Sequence, residues 1–320
     1  MERLTQEEIE HRRYLKKRIQ RRKRRRQVMI ARAVVLLIIV LIFTGIIFAG
    51  SCIYKSISNK NNKVNVEKKQ TVTILPDETE EPADVNIPDG YDKYYKELVK
   101  LKKKFPEVND IILNLSQYPE DLLNLAITNQ ETLSFVANYP KHKNDSSPGG
   151  KIRKDELLDG IPLFQQWDER WGYVTYGSNI IAIDGCGPTC MSMVYTGITG
   201  KTSKSPADIA EFCIEKNFYD SENGTSWSFM STGAQKLGLQ SEKISVDKKT
   251  IINRLKNGHP VICSMAPGDF TTQGHFIVLT GVKNNKLIIN DPNSIERSEK
   301  RWDIDQVLGQ VKAAWAYSAG

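Results

Sequence analysis

The feature that most restricts how this chain folds is an apolar run near its N-terminus. Between Ala33 and Tyr54 lie 22 residues without a formal charge, and Val, Leu, Ile and Phe dominate them. As an α-helix rising about 1.5 Å per residue, this run covers roughly 33 Å, enough to cross the hydrocarbon core of a bilayer. Polar residues do not interrupt it at helical spacing, as they would in a buried helix of a soluble core. We therefore predict a transmembrane anchor at residues 33–54.

The positive charge of the chain is concentrated before this anchor. Residues 1–32 hold 13 Lys and Arg against 4 Glu, whereas the remainder holds 32 basic and 34 acidic residues. Because positive flanks stay in the cytoplasm, we expect a basic cytoplasmic tail at residues 1–32 and everything after Tyr54 outside the cell. Membrane topology and anionic lipid explain the cluster Arg21–Arg26 better than nucleic acid does, so no nucleic-acid partner is expected.

The anchor is expected to remain uncleaved, because a long polar stretch precedes an apolar run longer than that of a signal peptide. Ala49–Cys52 resembles a lipoprotein processing site without its usual Leu, so lipidation of Cys52 stays open. Residues 55–90 are too polar to bury a core, which predicts a flexible linker.

Apolar residues then recur at helical spacing from Tyr91 to Tyr139, with Pro106, Pro119 and Pro140 placed as helix boundaries. We predict two or three short helices, forming a small helical segment or pro-region at residues 91–150. A catalytic domain is expected at residues 151–320.

The most informative motif surrounds Cys186, where Gly185-Cys186-Gly187-Pro188 precedes an apolar helical run. The motif predicts Cys186 at the N-terminus of a helix, where free amide groups and the helix dipole favour a thiolate. Gly187 leaves space for a substrate carbonyl to approach. A plain tight turn is an equally good interpretation of the motif alone, and a nucleophile also needs a base.

The base is sought among four histidines, of which His275 opens the β run 275–281. A second strand follows and ends at Asp291, and a hairpin turn is predicted at Asn284-Asn285 between the two. In such a hairpin, His275 and Asp291 become cross-strand neighbours. Taken separately, each is also explained as a strand-end residue or a turn former.

Four segments together resemble the stand-alone branch of the bacteriocin-processing, double-glycine-type cysteine peptidases. They are Pro162–Trp171, Gly185–Thr189, Gly274–Phe276 and Asn290–Pro292. The resemblance covers roughly the last half of the chain and implies a papain-like α+β fold, in which a helix carrying the nucleophile packs on an antiparallel sheet. It also implies Cys186 as nucleophile, His275 as general base and acid, Asp291 as the group that orients the imidazole, and Gln166 as an oxyanion donor. Gln165 competes for the last role.

Two further predictions concern the cleft and the other cysteines. Residues Asn223–Trp227 are predicted to form a loop at the cleft rim, in which Trp227 is a candidate substrate contact, although it could equally close the core. Cys190 lies one helical turn after Cys186, which makes it a candidate redox partner or metal ligand; a buried thiol is the alternative, as for Cys213 and Cys263. No metal or cofactor is expected.

These observations predict an extracellular cysteine peptidase, anchored in the membrane of a bacterium with a single-membrane envelope, which acts on a peptide or protein. A cell-wall peptide amidase with the same triad and a non-catalytic binding module of the same fold are the alternatives. The sequence contains no Gly-x-x-x-x-Gly-Lys-Ser/Thr loop, so no nucleotide partner is expected.

Overall fold

A six-stranded antiparallel sheet forms the centre of the C-terminal part of the chain. The computed structural model describes residues 87–143, 150–157, 160–221 and 224–320. Its strands are β5 Leu239–Ile244, β6 Val261–Met265, β7 His275–Lys283, β8 Lys286–Asn290, β9 Trp302–Asp303 and β10 Val311–Ala319. In space they lie in the order β5-β10-β6-β7-β8-β9. All of its pairings are antiparallel. The predictions of strands near 261–265, 276–282, 287–289 and 313–317 are confirmed, whereas β5 and β9 were not predicted.

Four two-residue strands lie outside this sheet. They form two short antiparallel pairs, β1 Thr175–Tyr176 with β2 Asn179–Ile180, and β3 Tyr219–Asp220 with β4 Gly224–Thr225.

Helices cover both faces of the sheet because its strands alternate apolar side chains to either side. The helices that follow the N-terminal ones are α5 Ile181–Asp184, α6 Cys186–Thr199, α7 Pro206–Glu215, α8 Ala234–Lys236, α9 Lys248–Lys256, α10 Ile295–Glu299 and α11 Ile304–Leu308. Ile262 and Val278 pack towards α6 and α7, whereas Cys263 and Ile277 pack towards α9 and α11. The predicted α+β architecture, with the helix that begins at Cys186 packed on an antiparallel sheet, is confirmed.

The N-terminal part of the described chain is a helical layer, which we define as residues 92–142. Its helices are α1 Asp92–Lys102, α2 Val108–Leu113, α3 Glu120–Thr128 and α4 Leu133–His142. There are four α-helices where two or three were predicted. Pro140 lies inside α4 rather than at its boundary, and a proline near the end of a helix sacrifices only one backbone hydrogen bond.

The helical layer and the sheet belong to one compact unit within residues 82–320. The apolar core of the layer extends to Tyr173 and Ala182, which lie shortly before Cys186 in the chain. The ring of Tyr173 stacks on Phe135 at 4.1 Å between centroids, and its hydroxyl donates to the Phe135 carbonyl at 2.8 Å.

The predicted tail, the anchor at 33–54, Cys52 and most of the predicted linker lie outside the described residues. Among the helices that the structure does describe, none combines the length and apolar character needed to cross a membrane.

Candidate active site

Cys186 is the first residue of α6, as the motif predicts. The short helix α5 ends just before it, and Gly185 joins the two helices. A side chain at Gly185 would place its Cβ 2.5 Å from the carbonyl oxygen of Ile181, so only glycine permits this close approach of the two turns. The junction therefore fixes where α6 begins and presents the Cys186 thiol at its N-terminus.

Cys186 differs in exposure from the other three described cysteines, all of which are unpaired. Cys190, Cys213 and Cys263 are fully buried, and burial raises the pKa of each thiol. Cys190 packs in the core, and its thiol donates to the Phe276 carbonyl at 3.3 Å. Cys186 is partly exposed and lines a cleft.

Asp291 holds one ring nitrogen of His275. His275 is the first residue of β7, and its Nε2 lies 2.8 Å from Asp291 Oδ1. The second ring nitrogen, Nδ1, is not engaged by Asp291, and the Cys186 side chain lines the same cleft as His275. Burial opposes the charged imidazolium, but Asp291 and then Cys186 raise the pKa of His275 to about 9. His275 thus contacts a buried carboxylate through one ring nitrogen and shares the cleft with the Cys186 thiol.

The contact between His275 and Asp291 is diagonal across the hairpin. The turn at Asn284 and Asn285 has positive φ at both residues, as the predicted two-residue turn requires. A register shift between Leu279 and Gly281 follows, after which Val278 pairs with Asn290. Asp291, the residue after Asn290, therefore lies beside Ile277. His275 precedes Ile277 by two residues and projects on the same side of the strand.

Asp291 is fully buried and has a second cationic partner, Arg297. Its Oδ2 accepts from Arg297 Nε at 2.6 Å, while its Oδ1 also accepts from the backbone N–H of Asn293 at 2.8 Å. Burial disfavours the charged carboxylate, but His275 and Arg297 together hold the pKa of Asp291 below its usual value. Arg297 was not predicted, because nothing in the sequence relates the first turn of α10 to a carboxylate six residues earlier.

Gln166 lies behind the nucleophile rather than in the cleft. Its Nε2 donates to the carbonyls of Ala182 at 2.7 Å and Ile183 at 3.2 Å, and its own N–H donates to the Pro292 carbonyl at 2.7 Å. Gln166 thus links the segment before Cys186 to the segment after Asp291. Its role as oxyanion donor stays a prediction. That role requires Gln166 to break its hydrogen bond to one of these two carbonyls.

Gln165 also faces away from the cleft. Its Nε2 is 3.5 Å from the Asp291 carbonyl, a long contact. The backbone carbonyl of Gln165 accepts from the indole N–H of Trp171 at 2.7 Å, which fixes the local chain path.

The cleft has a volume of about 750 Å³ and contains both Cys186 and His275. Trp227 lines it with 44% of its surface exposed, and its ring stands edge-on to Trp315 at 5.7 Å. Asp184 also lines it, and burial followed by the charge of Asp121 raises the pKa of its carboxyl.

Gly187 is buried beneath the cleft, against Thr225. A Cβ at Gly187 would lie 2.8 Å from the Thr225 side chain, so packing against β4 accounts for the glycine. Its predicted part in substrate binding, like the roles of the other predicted site residues, stays a prediction. Within the described ranges, no group of three or more His, Cys, Asp or Glu side chains is suited to hold a metal ion.

A protein family model matches the part of the chain that carries this cleft. Residues 158–320, about half of the chain, match the model of the Peptidase_C39 like family. The chain belongs to this family. The prediction of a cysteine peptidase is thereby confirmed, and its substrates are peptides.

Several solved structures are similar to part of the chain. One is the peptidase domain of Streptococcus ComA, a bi-functional ABC transporter involved in a quorum sensing pathway, with 22% identity over 51% of this chain and 100% of that chain and a TM-score of 0.36. The Streptococcus mutans ComA peptidase domain in complex with a small-molecule inhibitor has 20% identity, with coverage of 41% and 92% and a TM-score of 0.28. A C39-like peptidase from Bacillus anthracis has 18% identity, with coverage of 53% and 98% and a TM-score of 0.31. No curated protein matches the chain significantly.

Proposed function

We propose that this peptidase hydrolyses peptide bonds through a triad in which Cys186 is the nucleophile, His275 the general base and acid, and Asp291 the residue that orients the imidazole. The observation that carries the proposal is the 2.8 Å contact of the buried Asp291 with His275, in the same cleft that holds the partly exposed Cys186. Since the other described cysteines are buried thiols, Cys186 is the one among them that a substrate can reach.

The chemistry proceeds in two displacements. In the first, Cys186 gives its proton to His275, and the thiolate sulfur attacks the peptide carbonyl. The C–N bond breaks as His275 transfers that proton to the leaving amine, which leaves a thioester. In the second, His275 takes a proton from water, the resulting hydroxide attacks the thioester, and the carboxylic acid leaves as the thiol re-forms.

The negative charge that develops on the carbonyl oxygen requires hydrogen-bond donors. We assign this role to the backbone N–H of Cys186 and to Gln166, provided that Gln166 exchanges its contact with Ile183 for the substrate oxygen. The longer of its two carbonyl contacts, at 3.2 Å, is the one more easily given up.

Thiol labelling of the full-length chain tests the triad. Iodoacetamide at mildly acidic pH is expected to modify Cys186 selectively, and His275→Ala is expected to abolish that selectivity. His259→Ala, a matched histidine in a turn outside the cleft, is the control and should label like the wild type. Equal slow labelling of all cysteines in the wild type would refute the triad and favour a non-catalytic binding module.

We further propose that the enzyme belongs to the stand-alone branch of the bacteriocin-processing peptidases and works outside a single-membrane bacterium, anchored by residues 33–54. The support is the uncharged run of 22 residues preceded by a basic cluster. In membranes from expressing cells, the full chain should resist extraction by alkaline carbonate. A membrane-impermeant thiol reagent should modify Cys186 in intact cells, and labelling only after permeabilisation would refute the extracellular location.

Substrate class is settled by comparing three probes on the same preparation. Linear peptides with a double-glycine leader, unrelated linear peptides and isolated cell-wall peptides are incubated with wild type and Cys186→Ala. We expect cleavage of linear peptides that Cys186→Ala abolishes. Cleavage of cell-wall peptides alone would replace the proposal by the amidase alternative.

A further inference from the structure

We infer that the helical layer is a permanent part of the catalytic unit and that its residues Asn129 and Glu131 position Asp291. The inference rests on the proposed triad and concerns residues that touch neither substrate nor the reacting atoms. It means that the layer supports catalysis rather than acting as a pro-region whose removal activates the enzyme.

The first observation is a set of hydrogen bonds from the α3–α4 connection to the segment after Asp291. Asn129 Nδ2 donates to the Asn293 carbonyl at 2.6 Å and lies 3.3 Å from its side-chain oxygen. The Glu131 carboxylate accepts from the hydroxyl of Ser294 at 2.5 Å and from the N–H of Ile295 at 2.8 Å. Asn129 Oδ1 accepts from the N–H of Glu131 at 3.1 Å, which fixes the two side chains relative to each other.

The second observation is that the residues held in this way also hold Asp291. The N–H of Asn293 donates to Asp291 Oδ1, the same oxygen that contacts His275. Ser294 is the N-cap of α10, and its hydroxyl accepts from the N–H of Arg297 at 3.1 Å. Arg297 in turn donates to Asp291 Oδ2 at 2.6 Å. Asn293 and Arg297 therefore each bind one carboxylate oxygen of Asp291. Asn129 contacts Asn293, and Glu131 contacts Ser294, which caps the helix of Arg297.

The short length of α10 makes this support necessary. A five-residue helix is marginal by itself, and its first N–H groups have no partners within the helix. The Glu131 carboxylate supplies an acceptor and a negative charge at that end, where the helix dipole favours one. Without it, the start of α10 loses this acceptor, and Trp302, which donates to the Arg297 carbonyl at 2.8 Å, holds only the far end of the helix.

The third observation is that the layer leaves the cleft open. Of the described residues that line the cleft, none comes from the helical layer. The layer instead packs on the segment that leads to Cys186, through Tyr173 and Ala182. It thus supports the nucleophile and the acid from behind without covering either, which is the arrangement of a scaffold and not of an inhibitory segment.

The test uses the full chain and a readout that stability alone does not move. The pH dependence of Cys186 alkylation by iodoacetamide has an alkaline inflection where the imidazolium of His275 loses its proton. For Glu131→Ala and Asn129→Ala we expect this inflection to fall by about one pH unit, a tenfold loss of proton affinity, because a loosened Asp291 stabilises the imidazolium less.

Matched controls lie in the same layer, away from Asp291. Glu97→Ala removes an exposed carboxylate that pairs with Lys100, and Asn124→Ala removes an exposed amide on α3; both should alkylate like the wild type. Glu131→Gln keeps an acceptor oxygen and should restore most of the wild-type profile. If Glu131→Ala does not fold, Asn129→Ala carries the test by itself.

The outcomes separate this inference from the proposed triad. If Asn129→Ala and Glu131→Ala lower the melting temperature but leave the inflection unchanged, the two residues are structural only and the inference is overturned. Faster alkylation in the variants would overturn it too, since that is the behaviour of an inhibitory pro-region. If His275→Ala itself alkylates Cys186 at the wild-type rate, the triad fails and the inference fails with it.

Discussion

Replacing Asp291 with Asn removes the charge that the triad needs and keeps the shape of the side chain. The buried Asp291 lies between Nε2 of His275 at 2.8 Å and Nε of Arg297 at 2.6 Å. An Asn side chain still offers an oxygen to His275, so the ring keeps its orientation. What changes is the electrostatic stabilisation of the imidazolium, and Arg297 becomes an uncompensated neighbouring cation.

The size of the effect follows from the pKa of His275. Against the opposing effect of burial, Asp291 and then Cys186 raise that pKa from 6.5 to about 9. At about 1.4 kcal/mol per pKa unit, the net raise corresponds to roughly 3 kcal/mol of imidazolium stabilisation. Since Asp291 is the largest cause that raises the pKa, its removal should cost about this much, or about 10²-fold in the rate of steps that need the imidazolium.

The assay is the pH dependence of Cys186 alkylation by iodoacetamide from pH 4 to pH 10. In the wild type the alkaline inflection is expected near pH 9, and in Asp291→Asn it is expected below about 6.5. Asp155→Asn, an exposed carboxylate outside the cleft, is the matched control. An inflection that remains near pH 9 in Asp291→Asn would show that the carboxylate does not stabilise the imidazolium, which refutes the reasoning.

Three further results are expected. Because the folded state binds a proton on His275 more tightly than the unfolded state, the free energy of unfolding should fall by up to about 3 kcal/mol between pH 6.5 and pH 9. Below pH 6.5 the contribution of His275 should stay constant. Urea unfolding at several pH values measures this, and an increase between pH 6.5 and pH 9 would contradict the prediction. Gly187→Ala should destabilise the fold by about 1–3 kcal/mol in thermal unfolding, since its Cβ would overlap Thr225, and Thr225→Gly should cost less in that background than in the wild type. Trp227→Ala should raise KM for a cleaved peptide about tenfold with little change in kcat, because the half-exposed ring lines the cleft; a fall in kcat alone would show that Trp227 acts on the chemistry.

Local patterns in the sequence were sufficient for the elements that carry the triad. The Gly-Cys-Gly-Pro motif places the start of α6 at Cys186, and the Asn284-Asn285 pair specifies a two-residue turn that brings the ends of β7 and β8 together. Helix starts and tight turns depend on the backbone preferences of a few adjacent residues, so they can be predicted from a single sequence.

The contacts that refine the site lie far apart in the chain, and no local pattern encodes them. The register shift between Leu279 and Gly281 decides that His275 reaches Asp291 diagonally, and Asn129 meets Asn293 across 164 positions. The place of Gln166 behind Cys186 likewise depends on which carbonyls stand opposite it once the chain has packed.

The sequence by itself therefore determined the residue types of the proposed triad, a thiol at a helix N-terminus with an imidazole and a carboxylate on one hairpin, and the class of enzyme. Only the tertiary structure decided how the carboxylate is held, by Arg297 at Oδ2 and by His275 and the Asn293 N–H at Oδ1. The physical reason is that residue types fix which groups ionise or donate, whereas the distances and burial that set their strength arise from packing between segments distant in the chain.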